Sequence, residues 1–250
     1  DLITALSTKF PRGANMIFRQ LFDSDSSTYT YLIADEDTRE AILVDPVLEQ
    51  LNRDLSLLTE LGLSLKYSLD THVHADHITA IGKLRENSQC ASIYPEGSGA
   101  SCVDREIHDG ETIQLGKVKL RAIATPGHTD SHMAYLINDD RILTGDVLFI
   151  RGCGRTDFQN GCAENLYDSV IEKLFKLPGA TLVYPGHDYK GMTVSSIAEE
   201  ISFNPRFVGK TKEEFVKFMG ELNLPNPKRM MEAVPANQNC GRAEINFKSS

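Results

Sequence analysis

The sequence predicts an α/β fold, and three observations predict it. Short aromatic and aliphatic runs bounded by charge, glycine or proline recur as strands should. Stretches with leucines at helical spacing interleave with them. The chemically richest side chains, histidine and aspartate, fall in loops directly after apolar runs. With 250 residues, 41% of them hydrophobic, the chain is long enough to bury a substantial core. One domain over residues 1–250 is expected, with a short helical carboxy-terminal extension.

The elements follow in order. Tyr29–Ala34 and Ala41–Val47 read as strands, and Leu51–Gly62, with Leu51, Leu55, Leu58 and Leu61 near the helical period, as an amphipathic helix. Lys66–Asp70 returns as a strand into a histidine cluster, and Ile78–Asn87 follows as a helix. After a strand at Ala91–Tyr94, Glu111–Ala124 alternates apolar and polar residues around Leu115, Gly116 and Lys117, a hairpin pattern delivering His128 to a turn. Ala134–Asn138 and Arg141–Thr144 form a second hairpin pattern ending at Gly145 and Asp146. A helix at Glu164–Leu177 and a strand at Thr181–Tyr184 lead to His187, and from Val194 the chain is mostly helical, cut into short pieces by prolines.

Composition excludes several classes of partner. A formal net charge of −9 repels polyanions, so neither nucleic acid nor an anionic membrane surface is an expected partner, and an anionic substrate must meet local cations. No apolar run approaches the roughly 18 residues of a membrane span, and Asp1–Phe10 resembles no signal sequence, so the protein reads as soluble and not secreted. Five widely spread cysteines without a C-x-x-C pair argue against a disulfide scaffold or zinc knuckle and favour a reducing compartment. Cys90, Cys102, Cys162 and Cys240 read as structural or incidental, and Cys153 as a small residue filling a tight glycine-flanked loop.

Three of the seven histidines, His72, His74 and His77, fall within six residues together with Asp76. Three imidazoles and a carboxylate on one tight loop gain little by packing, whereas a divalent cation rewards all of them at once. This is a metal site.

The H-x-H-x-D-H pattern of His72, His74, Asp76 and His77, followed by His128, Asp146 and His187 each after a glycine, resembles the signature of the metallo-β-lactamase superfamily. The resemblance implies a four-layered αβ/βα sandwich with metal at one edge of its sheets. In the dinuclear hydrolases of that superfamily, His72, His74 and His128 would hold one metal, Asp76, His77 and His187 a second, and Asp146 would bridge them to generate an attacking hydroxide.

A narrower resemblance changes that ligand set. The run from Thr144 to Gln159, the segment Tyr184–Gly191, and the later Asn204-Pro-Arg206, Leu222–Pro225 and Val234–Gly241 are similar to the persulfide dioxygenase family, as are Phe18–Phe22 and Asp45–Val47. It implies one Fe(II) per chain on His72, His128 and Asp146, two imidazoles and a carboxylate leaving positions open for substrate and dioxygen. Glutathione persulfide would be oxidised with O2 and water to sulfite, releasing glutathione. His74, Asp76, His77 and His187 would then orient the ligands and shape the pocket. Arg155 matches a family residue at the substrate pocket, its structural alternative being a salt bridge to Asp157, and Tyr189 is a further substrate-binding candidate. His132 departs from the family pattern toward glyoxalase II, a dinuclear thioester hydrolase and the competing activity. A non-catalytic scaffold is the reading from another class. The family resemblance implies the cytoplasm in a bacterium and the mitochondrial matrix in a eukaryote; the oligomeric state stays open, a homodimer being one option.

Overall fold

The computed structural model describes residues 16–242. Asp1–Phe10, read above for a targeting signal, lies outside the described residues. Two six-stranded sheets face each other. The first runs β1 (Met16–Asp23), β2 (Thr28–Asp35), β3 (Glu40–Val44), β4 (Ser64–Leu69), β5 (Ala91–Pro95) and β6 (Arg105–Ile107) in spatial order. In the second, β7 (Thr112–Leu115), β8 (Val118–Ala124), β9 (Met133–Ile137), β10 (Arg141–Gly145), β11 (Leu182–Pro185) and β12 (Ser195–Ser196) are likewise neighbours in sequence order. Both sheets mix orientations: β3 to β6 pair in parallel, as do β10 and β11, while the remaining neighbours are antiparallel.

Side-chain alternation builds the layers. In β8, Val118, Leu120 and Ala122 point into the space between the sheets while Lys119 and Arg121 face solvent. The inter-sheet core combines them with Tyr31, Ile33, Ile42 and Leu69 of the first sheet and Tyr135 and Leu143 of the second. On the outer face of the first sheet, Leu32 and Leu43 pack on α1 (Leu51–Glu60) and α2 (Ile81–Ser88) through Leu58 and Leu84. The outer face of the second sheet packs on α3 (Ala163–Asp168), α4 (Ile197–Phe203) and α5 (Lys212–Gly220), with Leu166, Ile197 and Phe215 buried there. These are the four layers of an αβ/βα sandwich.

Several boundaries differ from the sequence reading for physical reasons. The strand expected over Ala41–Val47 stops at Val44, because Asp45 takes a left-handed backbone (φ 52°) to turn its carboxylate back toward β4. The helix expected from Ile78 begins at Ile81, since Ile78–Ala80 are bound to other segments: the Ile78 carbonyl accepts from Leu48 N–H, and Ala80 N–H donates to the Pro46 carbonyl. Over 163–176 the helix passes through a π turn at Ser169–Lys173 and a 3₁₀ turn at Leu174–Lys176. Strands β1, β6 and β12 were not predicted; β1 is a half-buried edge strand, and the other two have three and two residues. Pro235 lies inside α6 (Met230–Gln238) instead of ending it, and Met231, whose carbonyl the missing N–H would have met, is exposed.

The cysteine reading is corrected. Cys102 and Cys240 form a disulfide across 138 residues of sequence, while Cys90, Cys153 and Cys162 are free. Neither spacing nor an odd count reveals a pairing that distant.

Candidate metal centre

Four loops at one edge of the sandwich carry the expected residues. His72, His74, Asp76 and His77 follow β4, His128 follows β8, Asp146 follows β10 and His187 follows β11. The two sheets are joined there: Tyr29 N–H donates to the Gly186 carbonyl at 2.8 Å, and Met133 N–H to the Thr71 carbonyl at 2.9 Å. The loops thus converge on one another from opposite sheets.

Two histidines are held in a single useful tautomer. Thr71 Oγ1 donates to Asp45 Oδ2 at 3.0 Å, so at 2.9 Å it accepts from His72 Nδ1–H, leaving the Nε2 lone pair free. His128 Nδ1–H donates to the Arg155 carbonyl at 2.7 Å, with the same consequence. Both Nε2 atoms face Asp146 Oδ2, at 3.9 Å from His72 and 3.5 Å from His128. These separations exceed a hydrogen bond and match two ligands of one ion, which stand about 3 to 4 Å apart when each is about 2.1 Å from it. The ligand atoms of His72, His128 and Asp146 all lie within 4.8 Å of one another. Burial, reinforced by the imidazoles of His74, His128 and His132, pushes His72 well below the usual histidine range and keeps it neutral.

The other members of the cluster are engaged differently. His187 directs Nδ1 to Asp146 Oδ1 at 2.8 Å and Nε2 to Asp76 Oδ2 at 2.9 Å. Carboxylates only accept, so both nitrogens carry protons; burial opposes that charge, but Asp146 and Asp76 outweigh it and hold His187 well above its ordinary range. Burial would raise Asp146, yet the same contact with His187 brings its carboxyl down to about 2. Burial also opposes charge on His74, but Asp45, whose Oδ1 is 3.0 Å from His74 Nε2, raises it to about 9. His77 Nδ1 meets Asp76 Oδ2 at 2.8 Å. His74, Asp76 and His77 form a second group able to hold a cation, and Asp45, Asp70 and His74 a third. The buried His74 Nδ1 and His77 Nε2 have no hydrogen-bond partner among the described residues.

Supporting residues overlooked in the sequence now have roles. Asp45 accepts from Thr71 N–H at 2.7 Å as well as from its hydroxyl, and so fixes the entry to the histidine loop. His132, read as a hint of the hydrolase, lies behind Asp146: its Nε2 accepts from Asp146 N–H at 3.0 Å and its Nδ1 donates to Thr125 at 2.9 Å. Burial and nearby His128 push it to about 3, so it stays neutral. Gly145, at φ 49°, permits this arrangement, because a Cβ there would stand 2.5 Å from His132 Nε2 and 2.9 Å from Thr71 Oγ1.

A cavity of about 590 Å³ opens onto His128 and Asp146, a size suited to a small-molecule substrate. Arg155 and Tyr189 both line it. The Arg155 guanidinium grips Asp157 with two bonds of 2.6 and 2.7 Å, donates to the Pro225 carbonyl at 2.7 Å and stacks on Phe158. Its side chain is thus committed to the cavity wall. Tyr189 is 73% exposed and stacks on His187. Lys190, Arg206 and Lys228 also line the cavity, without a carboxylate partner among the described residues. Arg206 lies in the Asn204-Pro-Arg206 motif, whose role the sequence left unassigned. Cys153 also faces the cavity, but burial pushes its thiol up to about 12 and Met219 lies against its sulfur.

Fold and site define the class: residues 24–187 match the metallo-beta-lactamase superfamily. Persulfide dioxygenase ETHE1 from Bos taurus is 52% identical over 238 residues, covering 94% of this chain and 93% of that protein, and its Homo sapiens counterpart is 51% identical with the same coverage. The crystal structure of ETHE1 from Myxococcus xanthus superposes with a TM-score of 0.88 at 58% identity, over 90% of this chain and 100% of that one. Within the superfamily, the chain belongs to the persulfide dioxygenases.

Proposed function

We infer that this protein oxidises the terminal sulfur of glutathione persulfide at a single Fe(II), in the balanced reaction GSSH + O2 + H2O → GSH + SO3²⁻ + 2H⁺. The observation that carries this reading is the pair of imidazoles fixed as Nε2 bases facing one oxygen of Asp146. His72, His128 and Asp146 hold the iron, which supplies the one-electron chemistry by which dioxygen reacts with a sulfur lone pair. Thr71 and the Arg155 carbonyl keep both imidazoles in the ligating tautomer. His187 holds the other Asp146 oxygen, orienting the carboxylate.

The cavity receives the glutathione moiety. Its two carboxylates need cations in an acidic protein, and Arg206, Lys190 and Lys228 have charge to offer, while Arg155 shapes the wall through Asp157 and Pro225. Tyr189 flanks the same entrance. The described residues act as one domain, the segments between the helices after Val194, at Arg206 and Leu224–Lys228, completing the cavity wall.

The dinuclear hydrolase is the second reading, because a complete second ligand set is present. Against it stand the chain's membership of the persulfide dioxygenases and the contacts of His187, whose two nitrogens meet Asp146 and Asp76. The compartment follows the source, cytoplasm in a bacterium and mitochondrial matrix in a eukaryote; no helix among the described residues is long and apolar enough to cross a membrane. An anaerobic assay tests the activity. Sulfite formation should cease without dioxygen and return with it, whereas undiminished turnover in its absence would refute the reading.

A further inference from the structure

The carboxy-terminal turn reaches the metal loop from behind, far along the sequence and away from the cavity. Asn237, in the last turn of α6, is completely buried. Its side chain makes three bonds to the loop backbone: Oδ1 accepts from Thr79 N–H at 2.9 Å, and Nδ2 donates to the carbonyls of His74 at 2.9 Å and His77 at 2.8 Å. One amide thereby satisfies three buried backbone groups, each costly to leave unpaired.

The turn that carries Asn237 is itself anchored. Tyr94 donates its hydroxyl to the Asn237 carbonyl at 3.2 Å, and Gly82 N–H donates to the Cys240 carbonyl at 3.0 Å. A Cβ at Gly82 would stand 2.5 Å from that carbonyl oxygen, so the two segments pack backbone against backbone. The Cys102–Cys240 disulfide ties the turn to the segment between β5 and β6.

We propose that Asn237 is a positioning residue for the iron site, its side-chain amide fixing the backbone of the loop that presents His72. It touches neither the ligand atoms nor the cavity, so its effect is on iron retention and turnover, not on substrate affinity. The proposal rests on the iron reading above.

The test compares the iron-loaded wild type with Asn237→Ala and Asn237→Asp. The aspartate keeps the acceptor for Thr79 but sets oxygen against the carbonyls of His74 and His77. Iron release to a ferrous chelator should accelerate roughly tenfold or more in both variants, within the 10–100-fold range for groups that support metal ligands. The rate of turnover should fall while KM for glutathione persulfide stays unchanged, and the electron paramagnetic resonance signal of the nitric oxide adduct should change shape. A Cys102→Ser variant, which loosens the anchor but keeps the amide, should show a smaller acceleration. A lower melting temperature with unchanged iron release, turnover per iron and nitric oxide spectrum would overturn the proposal. If neither Asn237 variant folds, hydrogen exchange on the wild type decides: removing iron should expose the Thr79 amide, and an unaltered exchange rate there would contradict the proposal. Wild type that binds no iron would instead refute the iron reading, and this proposal with it.

Discussion

Two halves of one histidine cluster behave in opposite ways. At His72 and His128, each imidazole spends one nitrogen on an uncharged oxygen and turns the other toward Asp146. At His74, His77 and His187, carboxylates are the partners instead: Asp45 takes one nitrogen of His74, Asp76 one of His77, and Asp146 and Asp76 both of His187. The first half is a set of bases awaiting a cation; the second has met much of its charge internally. Residue type alone therefore does not count metals.

The largest effect should come from the first half. Replacing His72, His128 or Asp146 by Ala is expected to abolish iron binding and lower oxygen uptake by more than about 100-fold, read by metal analysis and an oxygen electrode. Next is Asp45→Ala, which leaves three buried groups, Thr71 N–H, Thr71 Oγ1 and His74 Nε2, without their shared acceptor. At about 1 to 3 kcal/mol for each unsatisfied group, the folded state should lose several kcal/mol in denaturant unfolding, and iron should be lost with it. Arg206→Ala should raise KM for glutathione persulfide by about 10- to 150-fold with iron content unchanged, as loss of one charge-assisted contact of about 1.5 to 3 kcal/mol implies. Arg155→Ala should also raise KM, accompanied by a looser wall at Leu224 and Pro225; an unaltered KM would remove it from the substrate site. The mildest change is His187→Gln, which should weaken iron retention by tenfold or less while leaving one iron per chain. A change in stoichiometry would show that His187 is a ligand and erase the contrast between the halves.

Much of this architecture was legible because its cues are local. Apolar alternation placed β8, leucine spacing placed α1, and every loop carrying a site residue was located after a strand. The seven residues that meet in the cluster were all named from the sequence, since H-x-H-x-D-H is compact and each later residue follows a glycine. What stayed hidden depends on contacts between distant segments. Asp45 is 26 residues from Thr71, Asn237 is 163 residues from His74, and Cys102 is 138 from Cys240. No periodicity links such positions. His132 was misread because its type matches a hydrolase pattern, whereas its position behind Asp146 makes it a prop for that backbone. Arg155 lines the cavity, and its fork grips Asp157, the alternative to a substrate contact that its place two residues from Asp157 already offers.

The central claim is that only one half of the cluster is a metal site, and metal titration of the apoprotein tests it most directly. With excess Fe(II) under anaerobic conditions, binding should saturate at one iron per chain, and admitting dioxygen with glutathione persulfide should start oxygen uptake. Saturation at two metals per chain, with thioester hydrolysis and no oxygen consumption, would contradict the account.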